Sequence, residues 1–163
     1  MTRIGLLSDT HSYLDKRVFE YFKDVDEIWH AGDIGAYEVL RKLREYKPTR
    51  AVYGNMDGGD VRYSLSEFYR FRVEDVNVLM THIGGYPGHY DRRARCLIET
   101  LRPQIFVCGH SHILKVVRDE HYDMMCINPG AAGLQGWHVL RTALRFRIEG
   151  GAISDMEVFN LPR

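Results

Sequence analysis

Three short apolar runs in the first third of the chain, each leading into a helical spacing or a glycine turn, constrain the fold more than any other feature. RIGLLSD (Arg3–Asp9) precedes Leu14, Val18, Phe22 and Val25 at helical intervals. DEIWHAGD (Asp26–Asp33) precedes Val39, Leu40, Leu43 and Tyr46 on one helical face, and TRAVYGN (Thr49–Asn55) is the third run. Apolar runs alternating with amphipathic helices predict parallel strands with both faces covered. The rest of the chain is richer in strands. EFYRFRVEDVNVLMTH reads as two strands joined at Glu74–Asp75, with Arg70 and Arg72 on the solvent side. YDRRARCLIETL reads as a helix stopped by Pro103, and QIFVCGH as a further strand ending in glycine. LKVVRDEHYDMMCIN and LRFRIEGGAISDMEVF predict two hairpins, the second turning on Gly150–Gly151. With 163 residues, 45% hydrophobic, and no repeat or linker, the expectation is one α/β domain over residues 1–163.

Charge narrows the partners. Lys plus Arg and Asp plus Glu are 22 each, so no global field gathers nucleic acid or an anionic membrane. No apolar run is long enough to span a bilayer, and the one at Ile4–Leu7 is too short for a signal peptide, so a cytoplasmic location is expected. Cys96, Cys108 and Cys126 are odd in number and widely spaced, and read as reduced, buried thiols rather than a disulfide or zinc site.

The functional information lies where the apolar runs end. They end on Asp9 and His11, on Asp33, on Asn55, on His82, and on His110 and His112. The carboxyl ends of parallel strands share one edge of a sheet, where ligands bind. These segments therefore bring two carboxylates, one amide and four imidazoles to one place. An oxygen and nitrogen donor set without sulfur suits Mn²⁺, Fe or Zn²⁺. Seven donors exceed one tetrahedral site, which implies two ions. Asp33, directly after a glycine, is the expected bridge, one oxygen to each ion.

The series Asp-x-His, Gly-Asp, Gly-Asn-x-Asp, His, Gly-His-x-His resembles that of the calcineurin-like metallophosphoesterases. Within them the chain is similar to the compact phosphodiesterase branch, which includes the retromer scaffold subunit of eukaryotes. NPGA (Asn128–Ala131) is similar to that branch's Asn-Pro-Gly-Ser. The resemblance implies a four-layer α/β/β/α sandwich. It also implies two divalent ions, Mn first, with Fe, Zn or Ni as alternatives. Asp9, His11, Asp33 and His112 would hold one ion; Asp33, Asn55, His82 and His110 the other. A water bridging the ions, ionised near neutral pH, would attack phosphorus in line with the leaving oxygen. Asn55 would also donate an N–H to the phosphate. Asp57 or backbone carbonyls would fix the histidine tautomers. The implied activity is a phosphoesterase acting on a small phosphoester. A non-catalytic scaffold of the retromer kind and a phosphomonoesterase are the alternatives, and a homo-oligomer formed through EFYRF is a further implication.

Met56 departs from the family pattern. Phosphatase members carry a histidine there as the proton donor to the leaving oxygen, with Asp57 behind it, and methionine has no proton to give. The expectation is therefore a preference for phosphodiesters with good leaving groups. Filling an apolar gap is the structural alternative for Met56. His89, in the loop after His82, is the candidate replacement acid. Arg92, Arg93 and Arg95 read as a solvated helix face before a phosphate clamp, and His30 as a packed residue rather than a ligand.

Overall fold

The computed structural model describes residues 1–163. Its elements in chain order are β1 (Thr2–Leu7), α1 (Lys16–Tyr21), β2 (Glu27–His30), α2 (Tyr37–Tyr46), β3 (Thr49–Ala51), α3 (Gly59–Ser64), β4 (Phe68–Val73), β5 (Val76–Thr81), α4 (Arg92–Leu101), β6 (Ile105–Val107), β7 (Leu114–Asp119), β8 (Met124–Pro129), β9 (Leu140–Glu149) and β10 (Ala152–Pro162). They form two five-stranded sheets, ordered β10-β9-β1-β2-β3 and β4-β5-β6-β8-β7.

The two-residue period of a strand sorts side chains between three cores. Ile4 and Leu6 point from β1 toward the second sheet, where they meet Val78 and Met80 of β5 and Ile105 and Val107 of β6. Leu7 belongs to the opposite face, packed with Val18 and Phe22 beside α1 and Leu40 and Leu43 of α2. The second sheet repeats the arrangement: Leu79, Phe106 and Cys126 turn outward against Ala94 and Ile98 of α4. Helices, sheet, sheet and helix are thus four layers, the α/β/β/α sandwich expected. Trp29 fills the middle core, with Phe71 at 5.0 Å and Phe146 at 5.7 Å edge-on to its ring.

Both sheets mix strand directions. β1 runs parallel to β2, and β2 to β3, but β9 pairs antiparallel with β1 and brings β10 with it. The C-terminal hairpin thereby completes the N-terminal sheet. In the other sheet β5, β6 and β8 run parallel, with β4 and β7 antiparallel at the edges. No helix is long and apolar enough to cross a membrane.

Several local expectations change. α1 is only six residues long, because Asp15 caps it at Arg17 N and Phe22 already leaves helical geometry. Val25 still reaches the same core from the following turn. α3 lies in a glycine-rich segment with no apolar periodicity to announce it. Cys96 is exposed rather than buried, on the outer face of α4, while Cys108 and Cys126 are buried as expected; all three are free. β4 carries the aromatic stretch expected at a subunit contact and does lie at a sheet edge. Phe71, however, is buried in the middle core and Tyr69 packs against it, leaving Phe68 as the exposed ring.

An ion pair joins the two ends of the chain. Arg141 Nη1 of β9 lies 2.8 Å from Asp15 Oδ2, with side-chain exposures of 8% and 7%. Arg141 also donates to Pro162 O. Asp15 keeps Arg17 as a second partner at 2.8 Å, so losing Arg141 removes one charged hydrogen-bond contact without stranding the carboxylate, a cost of about 1.5–3 kcal/mol. Arg141→Ala is expected to lose that much in urea denaturation, against under 1 kcal/mol for the exposed pair partner Arg72→Ala.

Candidate metal centre

The loops after β1, β2, β6 and β8 are laced to one another by backbone hydrogen bonds. Asp9 N donates to Gly32 O and His11 N to Asp33 O, both at 3.0 Å; Gly133 N donates to Asp9 O at 3.1 Å. Gly109 N donates to His82 O at 2.9 Å, tying the β5 and β6 ends together. This lacing forces unusual backbone. Asp9, His11, Asp33, His110 and His112 all have φ between 44° and 70°, the left-handed region that non-glycine residues seldom enter. Five of the seven expected donors thus sit in conformations that local sequence preference opposes, a clustering typical of functional loops.

The side chains converge in two groups. Donor atoms of Asp9, His11 and His112 lie within 4.8 Å of one another, as do those of Asp33, His82 and His110. Asp9 Oδ1 is 3.1 Å from His112 Nε2 and 3.8 Å from both His11 Nε2 and His82 Nε2. Asp33 Oδ2 is 3.1 Å from His82 Nε2 and 3.8 Å from His11 Nε2. The groups therefore adjoin across the two aspartates. Asn55 is exposed and lines a groove beside His82.

Each aspartate divides its oxygens between two tasks. Asp9 Oδ2 accepts from Ser8 Oγ at 2.6 Å and His110 N at 3.1 Å; Asp33 Oδ1 accepts from Met56 N at 2.8 Å. The other oxygen of each faces the imidazoles. For Asp33, Oδ1 holds an amide while Oδ2 faces both groups. Glycines make the approach possible: a Cβ on Gly54 would lie 2.1 Å from Asp33 Oδ1, and one on Gly109 would lie 2.1 Å from Ser8 Oγ.

The electrostatics are those of a site shaped for positive charge. Burial opposes ionisation of Asp9, but the His112 hydrogen bond and the nearby His82 outweigh it and hold the carboxyl below its usual range. Burial likewise opposes ionisation of Asp33, and the His82 imidazole 3.1 Å away reverses the direction. His82, though buried, is raised by the same two carboxylates. The Nε2 atoms of His11 and His82 are buried with no hydrogen-bond partner, both turned toward the aspartates. His82 Nδ1 donates to Ala31 O at 2.8 Å, which leaves Nε2 as a lone-pair donor. Orphaned imidazole lone pairs facing two carboxylates fit a divalent cation, so the residues suit the ions the sequence implied.

The remaining candidates fall into place around this centre. Asp57 fixes no histidine tautomer; its carboxylate accepts from Ile34 N, Gly35 N and Gly54 N at 2.9–3.1 Å. It joins the β2 and β3 loops and so positions Asp33 and Asn55. Met56 fills no gap, since its side chain is 64% exposed; its contribution to the site is the amide on Asp33. His89 is exposed and lines a smaller depression with His110. Arg92 and Arg93 line the groove beside Asn55 and His82, while Arg95 is exposed away from it, so the basic run is not solely a solvated face.

Three supports escape a reading by motif. Ser8, just past the end of β1, looks ordinary until its hydroxyl meets Asp9. Ala31 contributes only a carbonyl. Asn128 of the NPGA stretch donates to Gly109 O at 2.9 Å and Ser111 Oγ at 3.1 Å, bracing the His110–His112 turn; the stretch was noticeable, its role was not.

His30 is fully buried, as expected of a packed residue. Its Nδ1 accepts from Gly32 N, so Nε2 carries the proton toward Thr10 Oγ1, which in turn donates to Ile34 O. Burial pushes its pKa down from 6.5 to about 4. The unfolded chain therefore takes up this proton first as pH falls. Stability is unaffected above about 6.5 and declines down to about 4, by on the order of 3 kcal/mol in total. Urea denaturation of metal-free wild type and His30→Gln from pH 7 to 4 checks this: the variant is expected to be less stable at pH 7 but to lose less on acidification.

Comparison with known proteins agrees with this geometry. Residues 2–151 match the model of the calcineurin-like phosphoesterase superfamily domain. A probable metallophosphoesterase of Methanothermobacter thermautotrophicus is 35% identical over 136 residues, covering 78% of this chain and 76% of that protein. Vps29 of Entamoeba histolytica, solved as a complex with Zn²⁺, superposes with a TM-score of 0.75 at 15% identity, over 98% of each chain. A novel archaeal phosphodiesterase superposes with a TM-score of 0.71 at 24% identity, over 96% of this chain and 99% of that one.

Proposed function

The chain belongs to the calcineurin-like phosphoesterase superfamily, and on that premise we propose that it is a dinuclear-metal-dependent phosphoesterase favouring phosphodiesters with good leaving groups. The observation that carries the proposal is the pair of adjoining donor groups, with two buried imidazole nitrogens left unpartnered between the aspartates. Asp9, His11, Asp33 and His112 are assigned to one ion, and Asp33, Asn55, His82 and His110 to the other. The oxygen and nitrogen donor set favours Mn²⁺, with Fe, Zn or Ni as alternatives. A Vps29 of the same fold, from Entamoeba histolytica, was solved as a Zn²⁺ complex, which supports a metal-binding reading. Bound ions would supply charge for the phosphoryl oxygens and an acidified water as nucleophile.

The chain's own groups do the rest. Ser8, the His110 amide and the Met56 amide fix the aspartates, so the donor set is organised before any ligand arrives. Asn55 presents its amide to the groove, where it can both ligate and donate to a phosphoryl oxygen. The proton for a leaving group has no donor at Met56. His89, beside His110 in the smaller depression, is the candidate substitute. A small phosphoester is the proposed substrate and the cytoplasm the proposed location.

Asp33 tests the dinuclear reading, because its Oδ2 faces both donor groups. Asp33→Asn is expected to bind fewer than two ions per chain by elemental analysis and to lose hydrolysis of bis(4-nitrophenyl) phosphate. Full activity in that variant would overturn the reading, and full metal loading without turnover in wild type would favour a scaffold. A second test addresses the missing acid. Wild type should hydrolyse bis(4-nitrophenyl) phosphate well and phosphoserine poorly, while Met56→His should raise the rate on poor leaving groups by about 10²-fold. His89→Ala should lower the wild-type rate on those same substrates; an unchanged rate removes that residue from the mechanism.

A further inference from the structure

Two depressions open beside the metal centre, one on the His82 side and one on the His110 side, and Ile83 and Asp91 form a wall of both. The smaller, about 260 Å³, contains His89 and Lys115, with the Lys115 ammonium 4.0 Å over the Tyr86 ring. The larger, about 660 Å³, is too big for a methyl or a simple hydroxyalkyl arm and is of the size that takes a small organic ligand.

Its chemistry is mixed in a specific way. Tyr53, Phe68 and Leu97 give it apolar walls. Its two acidic residues are already engaged: Glu67 pairs with Arg93 at 2.7 Å, and Asp91 accepts from the backbone of Arg93 and Ala94 as the cap of α4. Arg62 lies 4.4 Å over the Tyr53 ring and uses only Nε on Asp57 O, leaving its terminal nitrogens free. Arg92 is exposed and makes no ion pair or side-chain hydrogen bond within the chain. The groove therefore offers aromatic surface together with uncommitted guanidinium donors, next to Asn55 and His82.

We infer that the larger groove takes a substrate arm made of an aromatic ring bearing a second anionic phosphate, a phosphorylated nucleoside in kind, with Arg92 as its specificity-determining contact. Guanidinium binds phosphate through paired, charge-assisted hydrogen bonds, and the exposed Phe68 ring and the Arg62 plane stacked on Tyr53 give the base surfaces to lie against. The smaller depression then receives the second arm of the diester. This inference rests on the phosphodiesterase reading above, which placed the scissile phosphate at the two donor groups.

The test is binding, which needs no turnover. Adenosine 3′,5′-bisphosphate and adenosine 5′-monophosphate are titrated by calorimetry into Mn²⁺-loaded protein. Wild type is expected to prefer the bisphosphate by about tenfold, more at low salt than at high salt. Arg92→Ala should bring that ratio near one and Arg92→Lys should keep part of it. Equal affinity for the two nucleotides in wild type, or an equal loss for both in Arg92→Ala, would overturn the inference. Hydrolysis of bis(4-nitrophenyl) phosphate by wild type, run in parallel, separates the two ideas. Turnover without discrimination removes the groove assignment alone; discrimination without turnover upholds the groove and removes the phosphoesterase reading.

Discussion

Two carboxylates are buried side by side where the two sheets meet, Asp9 fully enclosed and Asp33 nearly so. Like charges in such a place repel and are poorly solvated, so each must be held by donors. The chain holds one oxygen of each with a hydroxyl or backbone amide and aims the other at imidazoles. Much of the local architecture follows from this need. The left-handed turns at Asp9 and Asp33, the glycines at 54 and 109, and the hydrogen bonds between loops all serve to bring donors close without a side chain in the way.

The layers make that arrangement rigid. Alternating side chains of β1 and β5 face a common core filled by Trp29, while their opposite faces are covered by helices. Neither sheet can slip by one residue without exchanging its two cores. The strand ends therefore stay in register, and the loops beyond them start from fixed positions. Asp57 extends the same logic, since one carboxylate gathers three amides from two loops and keeps Asn55 close to Asp33.

Much of this was legible in the residues. Apolar runs and helical spacing located most elements, because burial on both faces leaves a continuous apolar signature, and the ligand-type residues at the run ends marked the site. The short helix at Gly59–Ser64 was not legible, since it lacks an apolar face of its own to announce it. Cys96 was misplaced because an apolar-looking helix segment does not say which of its faces is turned inward. Met56 was legible as a side chain with no proton to give and illegible as a backbone donor, because every non-proline residue carries the same amide.

The order and type of side chains by themselves determined the layered α/β class, the donor set and the absence of an acid at Met56; these follow from periodicity and from which functional groups are present. Tertiary structure alone decided that the C-terminal hairpin completes the N-terminal sheet, that a single oxygen of Asp33 faces both groups, and that Asp57 braces loops rather than an imidazole. It also placed Arg62 and Arg92 in a groove shared with Phe68. The physical reason is common to all four. Each depends on the direction in which a side chain or edge points after residues far apart in the chain have packed, and no local preference encodes that direction.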